Sequence, residues 1–248
     1  MIAPSSNTVV EPVTNALLAA RNDVSVHFTR IRVTSISLDP ADTRQFDQDT
    51  FTDAARLLGD ARVDVVAWNG TSGSWLGPGR DERLCQAMEQ VTGVPATTST
   101  LAMLAALRAF GSRRPGLLTP YTPDVGAAIA AHYAEQGLAV RAARHLGRST
   151  NYDFALITDA ELDEAFAGLA AEGCDAVAVV CTNVRAAHLA ARWEATHGVP
   201  VVDSVAATLW RALDLAGDTT PITGYGALLA GPHPVHPEQR RGTTWPRT

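Results

Sequence analysis

The chain repeats itself. Val63 and Asp64 open an apolar run, and six residues beyond Asp64 stands Gly70, followed by Thr71 and Ser72. Cys174 and Asp175 open a second such run, and six residues beyond Asp175 stands Cys181, followed by Thr182 and Asn183. Downstream of each run, a Gly-Val-Pro triplet (93–95, 198–200) leads to a serine, Ser99 or Ser204, and then to a long helical pattern. A period of about 110 residues is that of a duplicated βα unit, not of a solenoid. Two similar halves, each closing a strand on a turn of small polar residues, suggest a ligand held between them at a pseudo-two-fold axis. Pockets are common at such interfaces.

The runs at 63–68 and 175–180 are nearly continuous in apolar residues and read as buried parallel strands. Further strands are expected at 1–2 (very short), 24–31, 115–119 and 138–143. Helical spacing marks 13–20, 46–58, 81–91, the stretch after Thr100 to Phe110, 125–136, 160–171, 184–193 and the stretch after Ser204 to Ala216. Gly59 and Gly137 stop two of these helices, and Thr158 or Asp159 caps another. Residues 37–43 and 147–151 read as loops. The predicted fold is α/β: two pseudo-symmetric Rossmann-like (flavodoxin-like) halves, each with a parallel sheet, and an active site in the cleft between them. The first half spans 1–112, completed by the C-terminal helix region, and the second spans 113–230. Residues 231–248, rich in Pro, His and Arg, read as a poorly ordered tail with no metal site.

Composition limits the partners. The 248 residues carry a net charge of −6, with 46% hydrophobic and 19% charged residues. That balance argues against a broad surface for nucleic acid or anionic membrane. No apolar run reaches the length of a membrane span, and the start lacks the pattern of a signal peptide. Cys85, Cys174 and Cys181 have no metal-type spacing and read as free thiols in a reducing cytoplasm.

Candidate site residues cluster at strand ends. Cys181 lies at the carboxyl end of one strand, before the helical pattern at 184–193. Unpaired N–H groups at a helix start favour anions and lower thiol pKa values; a small buried hydrophobe is the other reading. Ser5, Ser6, Asn7 and Thr8 form either a helix cap or an anion-binding loop. The turn 69–74 is a second donor-rich loop or a plain strand–helix connection. Trp68 and Trp75 flank it, as core packing or as pocket walls. His132, His145, His188 and His197 show no partner pattern and read as surface residues.

Five motifs, in order, resemble the Asp/Glu racemase superfamily, in its branch of maleate cis–trans isomerases and arylmalonate decarboxylases. They are Pro4-Ser5-Ser6-Asn7-Thr8 with Glu11-Pro12; Gly70-Thr71-Ser72; Tyr121 followed by Thr-Pro-Asp-Val; Asn151; and Cys181-Thr182-Asn183. The resemblance covers the chain to about residue 230. Racemases and isomerases usually carry Cys-Thr-Ser where this chain has Gly70-Thr71-Ser72; the decarboxylases carry glycine there. Cys85 does not replace the lost thiol, because it lies inside a predicted helix.

The resemblance implies a cofactor-independent decarboxylase of a substituted malonate-like dicarboxylate. Cys181 would protonate an enediolate. Thr71, Ser72, Tyr121 and Thr182 would hold its oxygens, Ser6, Asn7 and Asn151 would contact substrate, and Gly70 would leave space. No cofactor or metal is expected. The expected partner is a small mono- or dicarboxylate, with no nucleic acid and no membrane; a homo-oligomer is compatible with the chain. The alternatives are a maleate isomerase or an Asp/Glu-type racemase working with one thiol, and a non-catalytic dicarboxylate-binding protein. Gly70→Cys is expected to restore a second thiol and confer racemisation.

Overall fold

The repeat is a structural duplication down to strand register. The structure, a computed structural model, describes residues 1–36, 38, 39 and 44–231. The predicted tail beyond Gly231, and residues 37 and 40–43 of the predicted loop, lie outside these. One sheet contains β1 (Ile2–Pro4), β2 (Thr29–Ile31), β3 (Val66–Trp68) and β4 (Ala96–Thr98), in the order β2-β1-β3-β4. The other contains β5 (Gly116–Thr119), β6 (Ala142–His145), β7 (Val177–Val179) and β8 (Val201–Asp203), in the order β6-β5-β7-β8. All neighbours are parallel, and Trp68 faces Thr98 as Val179 faces Asp203. The α/β class and the two parallel half-sheets are as predicted.

The helices are α1 (Val10–Leu17), α2 (Gln48–Gly59), α3 (Gly73–Leu76), α4 (Pro78–Thr92), α5 (Ser99–Ala109), α6 (Pro123–Glu135), α7 (Asn151–Phe154), α8 (Asp159–Ala171), α9 (Ala190–His197), α10 (Ser204–Leu215) and α11 (Ala227–Ala230). Gly93 and Gly198 end α4 and α9 in the left-handed region, with φ of 73° and 67°, where a side chain would be strained. The Gly-Val-Pro triplets are thus a helix stop followed by entry into β4 or β8. Thr158 begins α8 with a reciprocal capping box to Glu161. The last long helix, α10, packs on α1, α5 and β4 of the first half. There Val205, Leu209 and Leu213 meet Val10 and Leu17 in a second apolar cluster.

Several boundaries differ from expectation for local reasons. Only 29–31 of the predicted strand 24–31 pairs with β1, itself three residues long. Val24, Val26 and Phe28 alternate because one side packs on that second cluster. The predicted strand 138–143 pairs at Ala142–His145 instead. The helix expected at 13–20 begins at Val10, because the Asn7 side chain accepts the N–H groups of Val9 and Val10. Short helices α3 and α7 replace parts of predicted loops. The helix expected at 184–193 is a 3-10 turn at Ala187–Leu189 followed by α9.

His145 is not a surface residue. It is half-buried on β6, with Nδ1 2.8 Å from Thr119 Oγ1, and burial lowers its pKa.

Two carboxyls are enclosed in the first turns of helices or at their caps. Asp81 accepts a hydrogen bond from Thr98 Oγ1 at 2.5 Å. Asp203 accepts the N–H groups of Val205 and Ala206 on Oδ1, while Oδ2 has no partner among the described residues. Burial raises each pKa to about 6. A folded-state value above the ordinary one means the folded chain holds more protons across that window, so stability falls as pH rises from 3.8 to about 6. Asp203→Asn keeps the cap oxygen and removes the titration. Its unfolding free energy, measured in urea between pH 4 and 7, should lose up to about 3 kcal/mol of the wild-type decline, two units at ~1.4 kcal/mol each. Parallel curves for the two proteins would contradict this.

Candidate active site

The ends of β3 and β7 meet across the seam between the sheets, as pseudo-symmetry requires. Gly70, Thr71 and Ser72 from one half and Cys181 and Thr182 from the other line one small cavity of about 20 Å³, together with Pro4, Trp68, Trp75, Tyr121 and Asn151. The structure therefore brings together most of the sequence-predicted set. Cys85 lies apart, buried on α4, and Cys174 lies at the opposite end of its strand.

The hydroxyls and amides divide into two groups by where their protons go. Thr182 Oγ1 donates to the Asn69 carbonyl at 3.1 Å and accepts from Asn7 Nδ2 at 3.1 Å. Ser6 Oγ donates to the Val33 carbonyl and accepts from Asn151 Nδ2 at 2.7 Å. A hydroxyl has one proton, so neither Thr182 nor Ser6 has one left for a ligand; both serve as struts between halves. Asn7 combines both roles weighed for it: its oxygen caps α1, and its amide reaches the other half.

Thr71 Oγ1 and the Tyr121 hydroxyl are 2.9 Å apart, and Tyr121 also hydrogen-bonds Cys181, so the three groups form one chain and Tyr121 keeps no proton outside it. Other donors remain uncommitted. Ser72 Oγ accepts from Trp68 Nε1 at 3.4 Å and retains its own proton. Trp75 Nε1 and both ends of the Asn69 amide are buried without a partner among the described residues. An aromatic rim encloses these groups: Trp75 meets Phe46 and Tyr121 edge-on at 6.4 and 5.2 Å, and Tyr121 meets Phe154 at 5.3 Å.

Cys181 is 3% exposed. Residues 184–186 are not helical, so the thiol stands well ahead of α9, beyond the reach of its dipole, which fades within the first turn. Burial therefore dominates and pushes the thiol up to about 12, against hydrogen bonds from Tyr121 and the Asn183 backbone that favour the thiolate. The expected lowering at a helix start does not occur. At neutral pH Cys181 is a protonated acid, and the buried Tyr121 hydroxyl is likewise raised.

The expectation of open space at Gly70 is also corrected. A Cβ built on Gly70 would lie 2.2 Å from Trp68 Cζ2 and 2.6 Å from its Nε1. The indole, 1% exposed, fills the place a side chain there would take. Phe51 holds it edge-to-face at 4.9 Å. Gly70→Cys alone does not fit without displacing Trp68.

Asn183 was visible only as the third letter of a motif. It is fully buried and fastens three segments. Its oxygen accepts the Thr8 N–H at 2.9 Å, its amide donates to the Asn151 carbonyl at 2.5 Å, and its backbone N–H points to Cys181 Sγ at 3.4 Å. An isolated Asn after a strand carries no signal for such long-range partners.

Two duplicated parallel half-sheets with a thiol and hydroxyls at their seam place the chain in the Asp/Glu racemase superfamily, in the branch of maleate isomerases and arylmalonate decarboxylases. Within it, the profile of the family described as arylmalonate decarboxylase matches residues 9–229, and the chain belongs to that family. It is 35% identical over 185 residues to an arylmalonate decarboxylase of Bordetella bronchiseptica, covering 73% of this chain and 77% of that protein. It is 29% identical over 243 residues to a maleate isomerase of Pseudomonas putida, covering 93% and 96%. The crystal structure of the maleate isomerase Iso from Pseudomonas putida S16 superposes with a TM-score of 0.84 at 28% identity, covering 93% of this chain and 96% of that one. The relatives are enzymes of two activities. Among the described residues no helix is long and apolar enough to cross a membrane.

Asn183→Ala leaves the Asn151 carbonyl buried and unpaired, at about 1–3 kcal/mol, and removes the partner of the part-buried Thr8 N–H. Urea unfolding should show a loss of about 1–3 kcal/mol. A change below ~0.5 kcal/mol would mean that these bonds do not hold the halves in register.

Proposed function

We propose that this chain is a cofactor-independent decarboxylase of a substituted malonate, with Cys181 as its only proton donor to carbon. The observation that carries this reading is asymmetry: one buried, protonated thiol on one side of the cavity, and an indole in place of a second thiol on the other. A reaction that needs one proton delivered to one face suits such a site. One that needs proton exchange on both faces does not.

The chemistry runs as follows. The bond between the α-carbon and one carboxylate breaks, and CO2 leaves. The electron pair stays on the α-carbon and spreads into the remaining carboxylate as an enediolate. Its two oxygens gain charge, and fixed donors already aimed at them stabilise that charge without reorganising. Ser72 Oγ and Trp75 Nε1 hold uncommitted protons for this role, and Thr71 and Tyr121 join it through the chain that ends on Cys181. The Cys181 S–H then gives its proton to the α-carbon, a C–H bond forms, and the thiolate regains a proton from water. The raised thiol pKa keeps the acid loaded before the step. The departing carboxylate meets apolar walls, Trp68 among them, where loss of charge is favoured.

The wider coverage of the maleate isomerase relatives, 93% against 73% of this chain, favours a second reading, isomerisation of a small unsaturated diacid by one thiol. A panel of 2-substituted malonates, assayed for CO2 in parallel with maleate conversion, separates the two, and binding without turnover of either would point to a carrier. Wild type should release CO2, and Cys181→Ala should lower kcat/KM by about 10²–10⁴, the range of a general acid. Maleate conversion with no CO2 from any malonate would overturn the decarboxylase reading.

A further inference from the structure

The turn that carries Ser72 leads straight into α3, which carries Trp75, so these two free donors share one short segment. Bonds within the segment fix its shape. The Ser74 N–H reaches the Thr71 carbonyl and the Leu76 N–H the Ser72 carbonyl, both at 2.9 Å. Its place against the rest of the half is set from below, at Gly73. A Cβ there would lie 2.3–2.5 Å from Asp81 Cγ, Oδ1 and Oδ2. The Asp81 carboxyl, on α4, thus lies flat against the Gly73 backbone. It is itself held. Thr98 Oγ1, at the end of β4, donates to Oδ2 at 2.5 Å, and the Thr100 side chain, in the first turn of α5, also bonds the carboxyl. Thr100 Oγ1 accepts from Ser74 Oγ at 3.3 Å, which closes the chain back onto α3. Ser74, Asp81, Thr98 and Thr100 are all buried. A carboxyl loses solvation in such a place, where an apolar side chain would fill the space without that cost. What the carboxyl adds is a planar face for Gly73 and two acceptor oxygens for the hydroxyls.

We infer that Asp81 is a positioning residue of the active site: its carboxyl, pinned to the end of β4, sets where the Gly73 backbone rests and so where Ser72 and Trp75 present their protons. Asp81 does not line the Cys181 cavity; it acts through the segment it supports. Glycine at 73 belongs to the same device, because a residue with a Cβ would not let the carboxyl come so close. The second half reaches a matching arrangement by another route. Asp203 stands in the register position of Thr98 and caps α10, next to the strand that leads to Cys181. Each half therefore holds one buried carboxyl at the same strand end. The consequence in the first half is kinetic. Donors aimed at charge that grows in the transition state lower the barrier when held in place, and a misplacement of about 1 Å can cost about 10²-fold in rate. This inference rests on the proposed role of Ser72 and Trp75 as donors to the substrate oxygens.

The test uses Asp81→Ala, Asp81→Asn and Gly73→Ala, each first checked for cooperative melting, on the malonate that wild type decarboxylates fastest. Asp81→Ala removes the support. Its kcat should fall at least about tenfold with KM within about threefold, the pattern of an interaction made in the transition state. Asp81→Asn keeps the planar group and the acceptor for Thr98, and should hold kcat within about threefold of wild type. Gly73→Ala pushes the segment from the other side. It should lower kcat in wild type and cost nothing further in the Asp81→Ala background, since residues in contact are not additive. A role in stability alone would lower the melting temperature and leave kcat of the folded enzyme unmoved. That result in Asp81→Ala, or in Gly73→Ala if Asp81→Ala does not fold, would overturn the inference and leave the decarboxylase reading standing. So would a loss in Asp81→Asn equal to that in Asp81→Ala. If wild type releases CO2 from no malonate, the decarboxylase reading fails instead. Crystal structures of wild type and of whichever variant folds then decide the inference: Ser72 and Trp75 must shift relative to Cys181, and an unmoved segment overturns it.

Discussion

Desolvation of one thiol governs the chemistry available to this protein. At the start of a helix the Cys181 sulfur would tend toward the thiolate, a nucleophile and a base. Enclosed at the end of β7, it cannot shed its proton without placing charge in an apolar surround, and its pKa rises to about 12. Hydrogen bonds from Tyr121 and from the Asn183 and Val184 backbone pull the other way and lose. A buried Asp203, adjacent in the sheet through the Val179–Asp203 register, adds a charge that opposes the thiolate further. The sulfur is thereby an acid at rest. That property distinguishes a site suited to delivering a proton from one suited to removing it.

Burial of that kind requires the two halves to stay closed, and the seam supplies the means. Asn7 to Thr182 to the Asn69 carbonyl, Asn151 to Ser6, Asn183 to Thr8 and to Asn151, and Thr71 to Tyr121 all cross between distant parts of the chain. These bonds use up some of the polar groups that motif reading would hand to the substrate. What remains free is concentrated on Ser72 and Trp75 Nε1, in the cavity that Cys181 also lines. Structural and chemical roles are thus separated by proton count, residue by residue, among side chains of the same type.

The fold was legible in the chain because duplication supplies an internal control. Val63–Asp64 and Cys174–Asp175 mark equivalent strand starts, and Gly93 and Gly198 mark equivalent helix stops whose backbone demands glycine. Those signals are local, and local signals survive folding. Segment 24–28 misled because one-sided packing imitates strand alternation. Segment 184–186 carries helical spacing without forming a helix; Val184 and Ala186 are buried and Arg185 is exposed. The membership of the site was legible in motif order, but the commitments of Thr182, Ser6 and Asn183 depend on partners more than a hundred residues away in most cases. Trp68 is the sharpest case. Glycine at position 70 reads as space in a sequence, and only the neighbouring side chain shows that the space is filled.

One thiol, protonated and facing one side of the substrate, has a stereochemical signature. Decarboxylation of a prochiral 2-substituted 2-methylmalonate in D2O should place one deuterium on the α-carbon and give one enantiomer of the product. Racemic product would contradict the claim that Cys181 alone supplies the proton.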